Sequence, residues 1–465
     1  METAFAAFAD RIRAAGLGPV VIENFRHAYA QLSSAASGHM AEAEIAPVAV
    51  LPTLADLADD HDYGVTVAGR AAVLRLNGGL GTSMGLDRAK SLLVAHDGMR
   101  FLDVHLAQQR AFAAQMGVEA PLLFLNSFTT DADTRAVLAA SGATPRIVLQ
   151  NKIPKVLEAT LAPAVWPQAP DLAWCPPGHG EVYTVLYAAG VLDELLAAGI
   201  DILLIANGDN LGATLDPALI GYMARTDIPF LMEVAERTAN DTKGGHLARR
   251  RADDRLVLRE VAQCPADDLA AFQDIARHRY FNTNNLWVNL RTLKTTLDAH
   301  DGVLKLPTIR NRKTLDPRDP GSPAVIQLES AMGAAIEIFA GAEAVCVGRA
   351  RFAPVKVCAD LLILRSDRYH FDELMGLRPH PDATPVCVVT LDQAFYKKVG
   401  DFDQRFADGA PSLRDCTALS VTGDVRFGTA ISCSGSVQII NAEASQHTLA
   451  AGTKLADQIL VVTAH

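Results

Sequence analysis

The stretch RLNGGLGTSMGLDRAKS, residues 75–91, decides the fold because it joins an apolar run to a glycine-rich turn. The run, residues 73–76, is typical of a short apolar strand. Glycines let backbone N–H groups come close to a ligand, where they can hold phosphate oxygens. Lys90 can neutralise phosphate charge, and a helix predicted to begin near Ala89 would favour an anion at its N-terminus. The stretch is therefore typical of a phosphate-binding loop in an α/β protein.

Two common phosphate-binding motifs do not fit this stretch. The GxxxxGK[ST] motif of P-loop proteins needs a glycine before its lysine, and Ala89 occupies that position here. The GxGxxG motif of dinucleotide-binding proteins needs two residues between its last two glycines, whereas three separate Gly81 from Gly85. P-loop kinases and Rossmann dehydrogenases are excluded as far as these motifs define them.

Apolar runs and helical patterns alternate around the loop. Residues 121–125 and 202–206 are continuous apolar runs that predict buried strands, and residues 101–116 and 192–198 have helical periodicity. The alternation predicts an α/β domain with a mostly parallel mixed sheet. Because ligands of such sheets bind at the carboxyl ends of the strands, the glycine-rich loop and the turn after residues 202–206 are expected to carry the site.

The two ends of the chain depart from this pattern. Residues 1–16 have the spacing of an amphipathic helix, and residues 33–52 are small, polar and proline-terminated, which predicts a linker. From about residue 413 the helical period disappears, and Gly-Asp-Val and Gly-Ser-Val triplets recur twelve residues apart. Short strands with glycine turns at fixed spacing predict a small β-domain or a β-solenoid.

The composition excludes several classes of protein. The 465 residues are too many for one domain, and 49% hydrophobic and 20% charged residues are typical of globular proteins. The net charge of −11 argues against broad nucleic-acid binding, and no apolar run reaches the roughly 18 residues of a membrane span. Seven scattered cysteines without a CxxC pair, and a first segment unlike a signal or transit peptide, favour a cytoplasmic protein.

The loop and several further segments resemble one family. LNGGLGTSMG…KS resembles the nucleotide-binding loop of the eukaryotic-type UTP–glucose-1-phosphate uridylyltransferases, also called UDP-glucose pyrophosphorylases. The other matching segments occur in the family's order. They are QNKIPKV (150–156), PPGHGEVY (176–183), ANGDNLGATLD (206–216), KGGHL (243–247), FNTNNLWVNL (281–290), IQLESAMGAAIE (326–337) and RFAPVKVCADLL (351–362).

This resemblance implies a fold with three parts and one reaction. The family combines an N-terminal helical extension, a Rossmann-like nucleotidyltransferase domain and a C-terminal β-helix, which would here be residues 1–52, 53–385 and 386–465. The implied reaction converts UTP and glucose 1-phosphate into UDP-glucose and pyrophosphate with Mg²⁺. Both substrates are anions, so the protein would mainly supply positioning and charge neutralisation. The C-terminal domain is also expected to offer a surface for self-association.

Family positions place the UTP site at the predicted strand ends. Lys90 matches a lysine expected on the UTP phosphates, although Arg88-Ala89 replace the Gly-Pro that often precedes it. Gln150 matches a glutamine that contacts uracil in the family. An amide can donate and accept hydrogen bonds at once, which suits the edge of a pyrimidine. Gly178 would bring backbone close to the base. The residues expected to bind UTP are Leu76, Asn77, Gly78, Gly79, Lys90, Gln150, Gly178 and Asn207.

Other family positions imply the groups that act on the sugar phosphate. Lys356, near an entry loop before a strand-like run, matches the catalytic lysine, and Lys90 is the second expected catalytic residue. Asp209 follows a predicted strand and is the expected Mg²⁺ ligand. Glu329 is predicted at the start of a helix. The residues expected at the sugar phosphate are His179, Gly208, Asp209, Gly245, Asn284, Glu329 and Lys356.

The sequence leaves two other functions open. A transferase for galactose 1-phosphate or an N-acetylhexosamine 1-phosphate would use the same chemistry, because only the sugar pocket distinguishes these substrates. A non-catalytic nucleotide-sugar sensor is the other alternative, and the presence of both lysines, His179 and Asp209 argues against it. For each residue, a purely structural role such as a solvated lysine or a capped turn is the competing interpretation.

Overall fold

Helices cover both faces of a central β-sheet in the computed structural model, which describes residues 2–34, 38–238, 241–372 and 376–462. Within these ranges no helix is both long and apolar enough to cross a lipid bilayer. The α-helices are α1 (Glu2–Ala14), α2 (Pro19–Ser33), α3 (His61–Thr66), α4 (Phe101–Met116), α5 (Asp131–Ser141), α6 (Val182–Ala188), α7 (Val191–Ala197), α8 (Pro217–Thr226), α9 (Leu269–Gln273), α10 (Leu290–Asp298), α11 (Cys358–Arg365), α12 (Gln393–Tyr396) and α13 (Val399–Arg405).

The strands form one large sheet and several smaller ones. In chain order they are β1 (Ile45–Pro47), β2 (Ala71–Asn77), β3 (Val94–His96), β4 (Met99–Arg100), β5 (Leu122–Asn126), β6 (Arg146–Leu149), β7 (Ile153–Pro154), β8 (Val156–Leu157), β9 (Trp174–Cys175), β10 (Ile202–Asn207), β11 (Phe230–Glu236), β12 (His246–Arg250), β13 (Leu256–Arg259), β14 (Tyr280–Asn289), β15 (Thr308–Thr314), β16 (Ala324–Ser330), β17 (Glu343–Cys346), β18 (Tyr369–Asp372), β19 (Gly376–Pro379), β20 (Val388–Leu391), β21 (Cys416–Thr422), β22 (Val425–Phe427), β23 (Ser432–Asn441), β24 (His447–Leu449) and β25 (Lys454–Val462).

The central sheet is mixed, with a parallel half and a largely antiparallel half. Its main order is β1-β12-β14-β10-β2-β5-β6, and β11, β13 and β17 attach beside this path. The pairs from β10 through β2 and β5 to β6 are parallel, whereas β14 pairs antiparallel with β10, β11 and β12. The prediction of a mostly parallel sheet is therefore wrong for half of the sheet. Nothing in a single apolar run distinguishes the two pairings, because both bury it equally.

Alternating side chains of the parallel strands enter two separate cores. In β2, Ala72 and Leu74 join the core on one face, whereas Ala71 and Val73 join the core on the other. The same alternation occurs along β10. Burial on both faces explains the continuous apolar runs and contributes roughly 1.5–3 kcal/mol for each fully buried Leu or Val. The predicted strands over residues 73–76, 121–125 and 202–206 are confirmed. The predicted helices over residues 101–116 and 192–198 are also confirmed, and their ends agree to within one residue.

The N-terminal helices form a small aromatic core against the rest of the chain. The rings of Phe8 and Phe25 lie 5.1 Å apart, centroid to centroid, and join α1 to α2. The same cluster includes Ile153 and Leu328, so the helices are anchored to β7 and to β16. The predicted amphipathic helix in residues 1–16 is confirmed by α1.

The predicted linker, residues 33–52, is more structured than its composition indicates. Residues 35–37 lie outside the described residues. Further along, β1 pairs antiparallel with β12 at the edge of the central sheet. Ile45 is fully buried against Ala248 and Val257, and this burial fixes a segment whose sequence is otherwise typical of a loop.

The C-terminal strands run parallel to one another. The sheet order is β20-β21-β23-β25, and β22 pairs in parallel with β24. Leu419 pairs with Val437 and Ser432 pairs with Lys454, so successive strands repeat over more residues than the twelve of the sequence triplets. The triplet spacing is therefore not the structural repeat, because Gly435 lies inside β23 at a register shift instead of in a turn.

Candidate active site

A cavity of about 450 Å³ opens at the carboxyl ends of β2 and β10. Its walls include the glycine-rich loop, the residue after β6, the turn after β10 and the loops that precede α6 and α11. The sequence predicted this position because parallel strands end at a common edge of the sheet. The lining residues are Leu76, Asn77, Gly78, Gly79, Lys90, Ser91, Phe101, Leu125, Gln150, Pro176, Gly178, His179, Asn207, Gly208, Asp209, Asn284 and Lys356.

Backbone pairing brings the two predicted loops into contact. Leu76 lies opposite Asn207, and Gly208 N donates to Leu76 O at 2.9 Å. His105 Nε2, on α4, donates to Gly208 O at 2.9 Å and holds the turn from the other side. A Cβ at Gly208 would lie 2.6 Å from Leu76 O. A side chain at this position would therefore push the two strand ends apart.

The helix predicted near Ala89 does not form. Residues Lys90–Leu92 make one 3₁₀ turn, and the hairpin of β3 and β4 follows. Asp97 and Gly98 at the hairpin turn have φ angles of 43° and 75°. This Asp-Gly pair is a strong turn former, and it directs the chain into a hairpin instead of a helix. The loop therefore does not lead into an α-helix, and Lys90 is its cation that lines the cavity.

Two left-handed glycines shape the loop that carries Lys90. Gly81 and Gly85 have φ angles of 62° and 74°, which other L-residues rarely adopt. Lys90 N donates to Gly79 O at 3.1 Å and closes the loop on itself. The glycines thereby turn the chain back so that Lys90 and Gly79 line the same cavity.

One carboxylate oxygen accepts from both predicted catalytic lysines. Lys90 Nζ lies 2.8 Å and Lys356 Nζ lies 3.0 Å from Asp209 Oδ2. Burial raises the pKa of Asp209, but the positive charges of Lys356 and Lys90 outweigh this effect and lower it overall. Asp209 is therefore ionised at neutral pH, and the three groups together carry one excess positive charge. Such a site attracts an anion.

The other oxygen of Asp209 is suited to a metal ion. Oδ1 is buried and has no hydrogen-bond partner among the described residues. Within the same residues no group of three His, Cys, Asp or Glu side chains is placed to hold a metal. Mg²⁺ commonly takes one or two carboxylates and completes its shell with phosphate oxygens and water. Asp209 Oδ1 fits that pattern as a single protein ligand.

Lys356 lies in a loop that is fixed at both ends. The sequence predicted a strand-like run after it, but the structure has helix α11 there. Asp360 Oδ2 accepts from the N–H groups of Lys356 and Val357 at 2.7 and 2.9 Å and so caps the start of the helix. On the other side, Val355 N donates to Asp209 O at 3.2 Å. The Lys356 side chain remains 58% exposed, so its ammonium group can reach a bound ligand.

Gln150 is held where β6 ends. Its backbone N donates to Asn126 O at 2.7 Å, and its side-chain Nε2 donates to Gly178 O at 2.8 Å. Oε1 lies 3.4 Å from the position that a Cβ on Gly78 would occupy. The side chain therefore bridges two walls of the cavity and presents an acceptor toward the glycine-rich loop.

The structure fixes which nitrogen of His179 carries a proton. Met332 N donates to His179 Nδ1 at 3.0 Å, so Nδ1 must be unprotonated. Burial, and to a smaller extent the charge of Lys356, lower the pKa of His179 to about 4. The ring is therefore neutral at pH 7 with its proton on Nε2. In this state His179 can donate a hydrogen bond, but it is not a cation.

Asn284 reaches the cavity from an irregularity in β14. The pairing of β11 with β14 shifts between Glu233 and Val234, and Asn284 there has a φ of 59°. Asn282 Oδ1 accepts from Asn284 N at 2.8 Å, and Asn282 Nδ2 donates to Asn284 Oδ1 at 2.8 Å. A β-bulge redirects a side chain out of the regular alternation, and here it supports the predicted role of Asn284 at the cavity.

Two predicted sugar-site residues do not line the cavity. Gly245 O accepts from Asn282 N at 3.1 Å, which places Gly245 behind the asparagine pair. Glu329 lies in β16, so the predicted helix start is wrong, and its Cβ lies 3.0 Å from the position of a Cβ on Gly178. Both residues therefore support the walls of the cavity from behind.

Asn77 lines the cavity, but its side-chain nitrogen forms hydrogen bonds within the protein. Nδ2 donates to Asn126 Oδ1 at 2.7 Å and to Thr134 Oγ1 at 2.9 Å. These bonds join the ends of β2 and β5 to α5. The side-chain nitrogen therefore fixes the strand ends, and the backbone of the following glycines remains for a ligand.

Four residues of the cavity wall were not predicted from the sequence. Leu125 ends a predicted strand, so the strand-end rule that found Leu76 could have found it. Pro176 and Ser91 stand inside matching family segments. Phe101 gave no signal, because only the β3–β4 hairpin brings the start of α4 to the cavity.

A mixed α/β sheet with a glycine-rich loop, two lysines and one carboxylate at its strand ends defines a nucleotidyltransferase-like enzyme. The sequence model described as UTP–glucose-1-phosphate uridylyltransferase matches residues 22–434. The chain belongs to that family. It is 37% identical to the UTP–glucose-1-phosphate uridylyltransferase of Saccharomyces cerevisiae over 83% of this chain and 77% of the yeast protein. It is also 37% identical to the Solanum tuberosum enzyme over 83% of this chain and 80% of that protein.

Solved structures of the same kind share the fold. A point mutant of UDP-glucose pyrophosphorylase from Leishmania major, in complex with UDP-glucose, has a TM-score of 0.92 and 40% identity over 99% of each chain. A Trypanosoma brucei protein described as a UDP-glucose phosphorylase has a TM-score of 0.88 and 42% identity over 99% of this chain and 100% of that one. The similarity covers the mixed central sheet and both ends of the chain.

Proposed function

We propose that this protein transfers a uridylyl group from UTP to glucose 1-phosphate and releases pyrophosphate. The observation that carries the proposal is the pair of lysines on Asp209 Oδ2 at the strand-end cavity. A phosphate oxygen of the sugar phosphate attacks the α-phosphorus of UTP, a new P–O bond forms, and the bond to pyrophosphate breaks. Both substrates and the transition state are anionic, which is the charge that this cavity attracts.

The UTP site is proposed at the glycine-rich loop and the opposite wall. Backbone groups of Leu76, Gly78 and Gly79 would approach the nucleoside, and Lys90 would lie on the phosphates. Gln150 and the backbone of Gly178 would contact the uracil from the other wall. A cavity lined by all of these residues supports this assignment. The proposed UTP contacts further include Asn77 and Asn207.

The sugar phosphate is proposed between His179 and Lys356. The neutral His179 ring would donate from Nε2 to a phosphate oxygen, and Lys356 would neutralise charge that develops around the α-phosphorus. Backbone of Gly208 and the side chain of Asn284 would contact the sugar. Gly245 and Glu329 would act indirectly through Asn284 and Gly178.

Mg²⁺ is the proposed cofactor, and Asp209 is its proposed protein ligand. When bound, the ion would neutralise phosphate charge and orient the UTP phosphates. The two lysines that now share Oδ2 would then have anionic oxygens of UTP as additional partners. The unpartnered, buried Oδ1 supports this assignment.

We also propose the three-part organisation and cellular setting. The proposed parts are a helical extension (1–52), a catalytic domain (53–385) and a C-terminal β-helix domain (386–465), for which the stacked parallel strands give support. The C-terminal part would be the surface for any self-association. A cytoplasmic location, without nucleic-acid or membrane partners, completes the proposal.

The decisive experiment measures pyrophosphate release from UTP with a panel of sugar 1-phosphates, with and without Mg²⁺. Rapid, Mg²⁺-dependent release with glucose 1-phosphate alone would support the proposal. Comparable rates with galactose or N-acetylhexosamine 1-phosphates would keep the chemistry and broaden the substrate. No release with any sugar, from folded protein that binds UTP, would instead favour a sensor.

A further inference from the structure

A buried carboxyl group lies behind the proposed uracil site. Glu181 is only 1% exposed, and none of the described Lys, Arg or His side chains forms an ion pair with it. Both of its oxygens are used by one residue: Asn151 N donates to Oε2 at 3.1 Å and Asn151 Nδ2 donates to Oε1 at 2.9 Å. A buried carboxyl is strongly unfavourable unless it is hydrogen-bonded, so the two bonds from Asn151 are what allow Glu181 to lie here.

The contact ties together the two loops that hold Gln150. Strand β6 ends at Leu149 and β7 begins at Ile153, so Gln150 and Asn151 lie between strands, where the bond from Gln150 N to Asn126 O at 2.7 Å is the last backbone contact to β5. Gln150 Nε2 donates to Gly178 O at 2.8 Å, and Glu181 holds Asn151 from the same turn of chain. The loop after β6 is therefore fastened to the 178–181 turn at two consecutive residues.

The bond to Gly178 O determines which face of the Gln150 amide is available. A carbonyl oxygen can only accept, so the atom on Gly178 O must be the amide nitrogen of Gln150. The Gln150 amide cannot flip without losing that bond. Oε1 is consequently the group directed toward Gly78, and it can only accept a hydrogen bond.

We infer that Glu181 is a positioning residue for base selection, which acts through Asn151 to hold Gln150 with its acceptor toward the nucleobase. Uracil has an N–H at N3 and can donate to Oε1, whereas N3 of cytosine is an acceptor and would face Oε1 with no proton between them. A buried polar group that is left unpaired strongly rejects the wrong ligand. The inference rests on the proposed function and adds the residue that sets its base specificity.

The test compares UTP with CTP as substrates, with glucose 1-phosphate and Mg²⁺. Glu181→Ala should lower the ratio of kcat/KM for UTP to that for CTP by about tenfold, mainly through a higher KM for UTP. Glu181→Gln should retain the wild-type ratio, because its amide oxygen can still accept from Asn151 N and its amide nitrogen can donate to Oδ1 of a flipped Asn151 amide. An unchanged ratio in Glu181→Ala, with only a lower Tm, would overturn the inference.

A double-mutant cycle separates positioning from general damage. If Glu181 acts through Gln150, Glu181→Ala should change the UTP/CTP ratio by less than about twofold in a Gln150→Ala background. A full effect in that background would contradict the inference. If Glu181→Ala does not fold, Asn151→Ala removes only the Nδ2 bond and should shift the ratio by about threefold. An unchanged ratio in Asn151→Ala would also reject the inference.

The wild-type protein distinguishes failure of the inference from failure of the proposed function. If the wild type catalyses the transfer and the variants keep its UTP/CTP ratio of kcat/KM, the proposed reaction stands and Glu181 has no role in base selection. If the wild type transfers nothing, calorimetric binding of UTP and CTP provides the same comparison. Loss of the preference for UTP in Glu181→Ala would support the inference without the reaction, and equal binding of both nucleotides by the wild type would overturn it.

Discussion

Lys356 Nζ lies 3.0 Å from Asp209 Oδ2, although 147 residues separate the two along the chain. Lys90 shares the same oxygen at 2.8 Å, so two cations converge on one half of a carboxylate. The other half has no partner among the described residues. This asymmetry would allow two tasks, because one oxygen contacts both lysines and the second could serve as the proposed Mg²⁺ ligand.

Asp209→Asn should raise the Mg²⁺ concentration needed for half-maximal turnover by at least about tenfold. The amide keeps an oxygen but loses the charge that attracts Mg²⁺ and both lysines. A Mg²⁺ titration of pyrophosphate release measures this effect. Asp267→Asn, an exposed carboxylate outside the cavity, is the control and should behave as wild type. An unchanged Mg²⁺ dependence in Asp209→Asn would exclude this residue as a ligand.

Lys356→Ala should reduce kcat by about 10²- to 10³-fold while UTP binding weakens far less. Removing one preorganised charge from a reacting centre costs roughly 3–4 kcal/mol of transition-state stabilisation. Steady-state kinetics and UTP calorimetry provide the two readouts. Lys313→Ala removes an exposed lysine on β15 and serves as the matched control. Parallel losses in kcat and in UTP affinity would remove the catalytic role.

Two glycine substitutions should both impair function but differ in their effect on Tm. A Cβ at Gly208 would lie 2.6 Å from Leu76 O, a backbone atom, so Gly208→Ala should lower Tm and activity together. A Cβ at Gly79 has no heavy atom within 4 Å, so Gly79→Ala should keep the wild-type Tm. The added methyl group would nevertheless enter the cavity and weaken UTP binding. Thermal melts and UTP titrations check both; a lower Tm for Gly79→Ala would contradict the geometry.

His179 should show no titration between pH 5.5 and 8 in the folded protein. Burial lowers its pKa to about 4, and the bond from Met332 N keeps the proton on Nε2. Ring ¹⁵N chemical shifts report both the tautomer and the pKa. A proton on Nδ1 at neutral pH would contradict the assigned tautomer, and a midpoint near the ordinary value of about 6.5 would contradict the lowered pKa.

The wild-type protein should lose stability relative to the Glu181→Gln variant as the pH rises. Its pKa increases from 4.5 to about 8 on folding because burial disfavours the charged form. The stabilisation from the bound proton is therefore fully present below pH 4.5 and is lost as the pH rises through about 8. The difference in unfolding free energy is on the order of 5 kcal/mol or less. Melting temperatures of both proteins at pH 5 and pH 9 test this prediction. A difference in Tm between the two proteins that is the same at both pH values would contradict the raised pKa of Glu181.

The local sequence was sufficient to locate the candidate site. Runs such as residues 202–206 are apolar throughout because their strands are buried on both faces, and this pattern is visible without a structure. Parallel strands end at one edge, so the residues after such runs could be expected to meet. Of the residues predicted at the site, only Gly245 and Glu329 do not line the cavity.

Local patterns could not reveal how distant segments combine. Three expectations drawn from local patterns are wrong: a mostly parallel sheet, because β14 runs antiparallel; a helix near Ala89, because a hairpin follows Lys90; and a strand-like run after Lys356, because Asp360 caps α11 there. Periodicity records which face of an element is buried. It does not record which partner buries that face or in which direction the partner runs.

The sequence by itself determined the family, the strand-end position of the loops and the types of residue that can neutralise phosphate. Only the tertiary structure decided that Lys90 and Lys356 share one oxygen of Asp209, that Met332 sets the protonated nitrogen of His179, and that Glu181 fastens the loop of Gln150. The physical reason is that hydrogen bonds and ion pairs act over about 3 Å, and only the folded chain brings groups from remote segments that close.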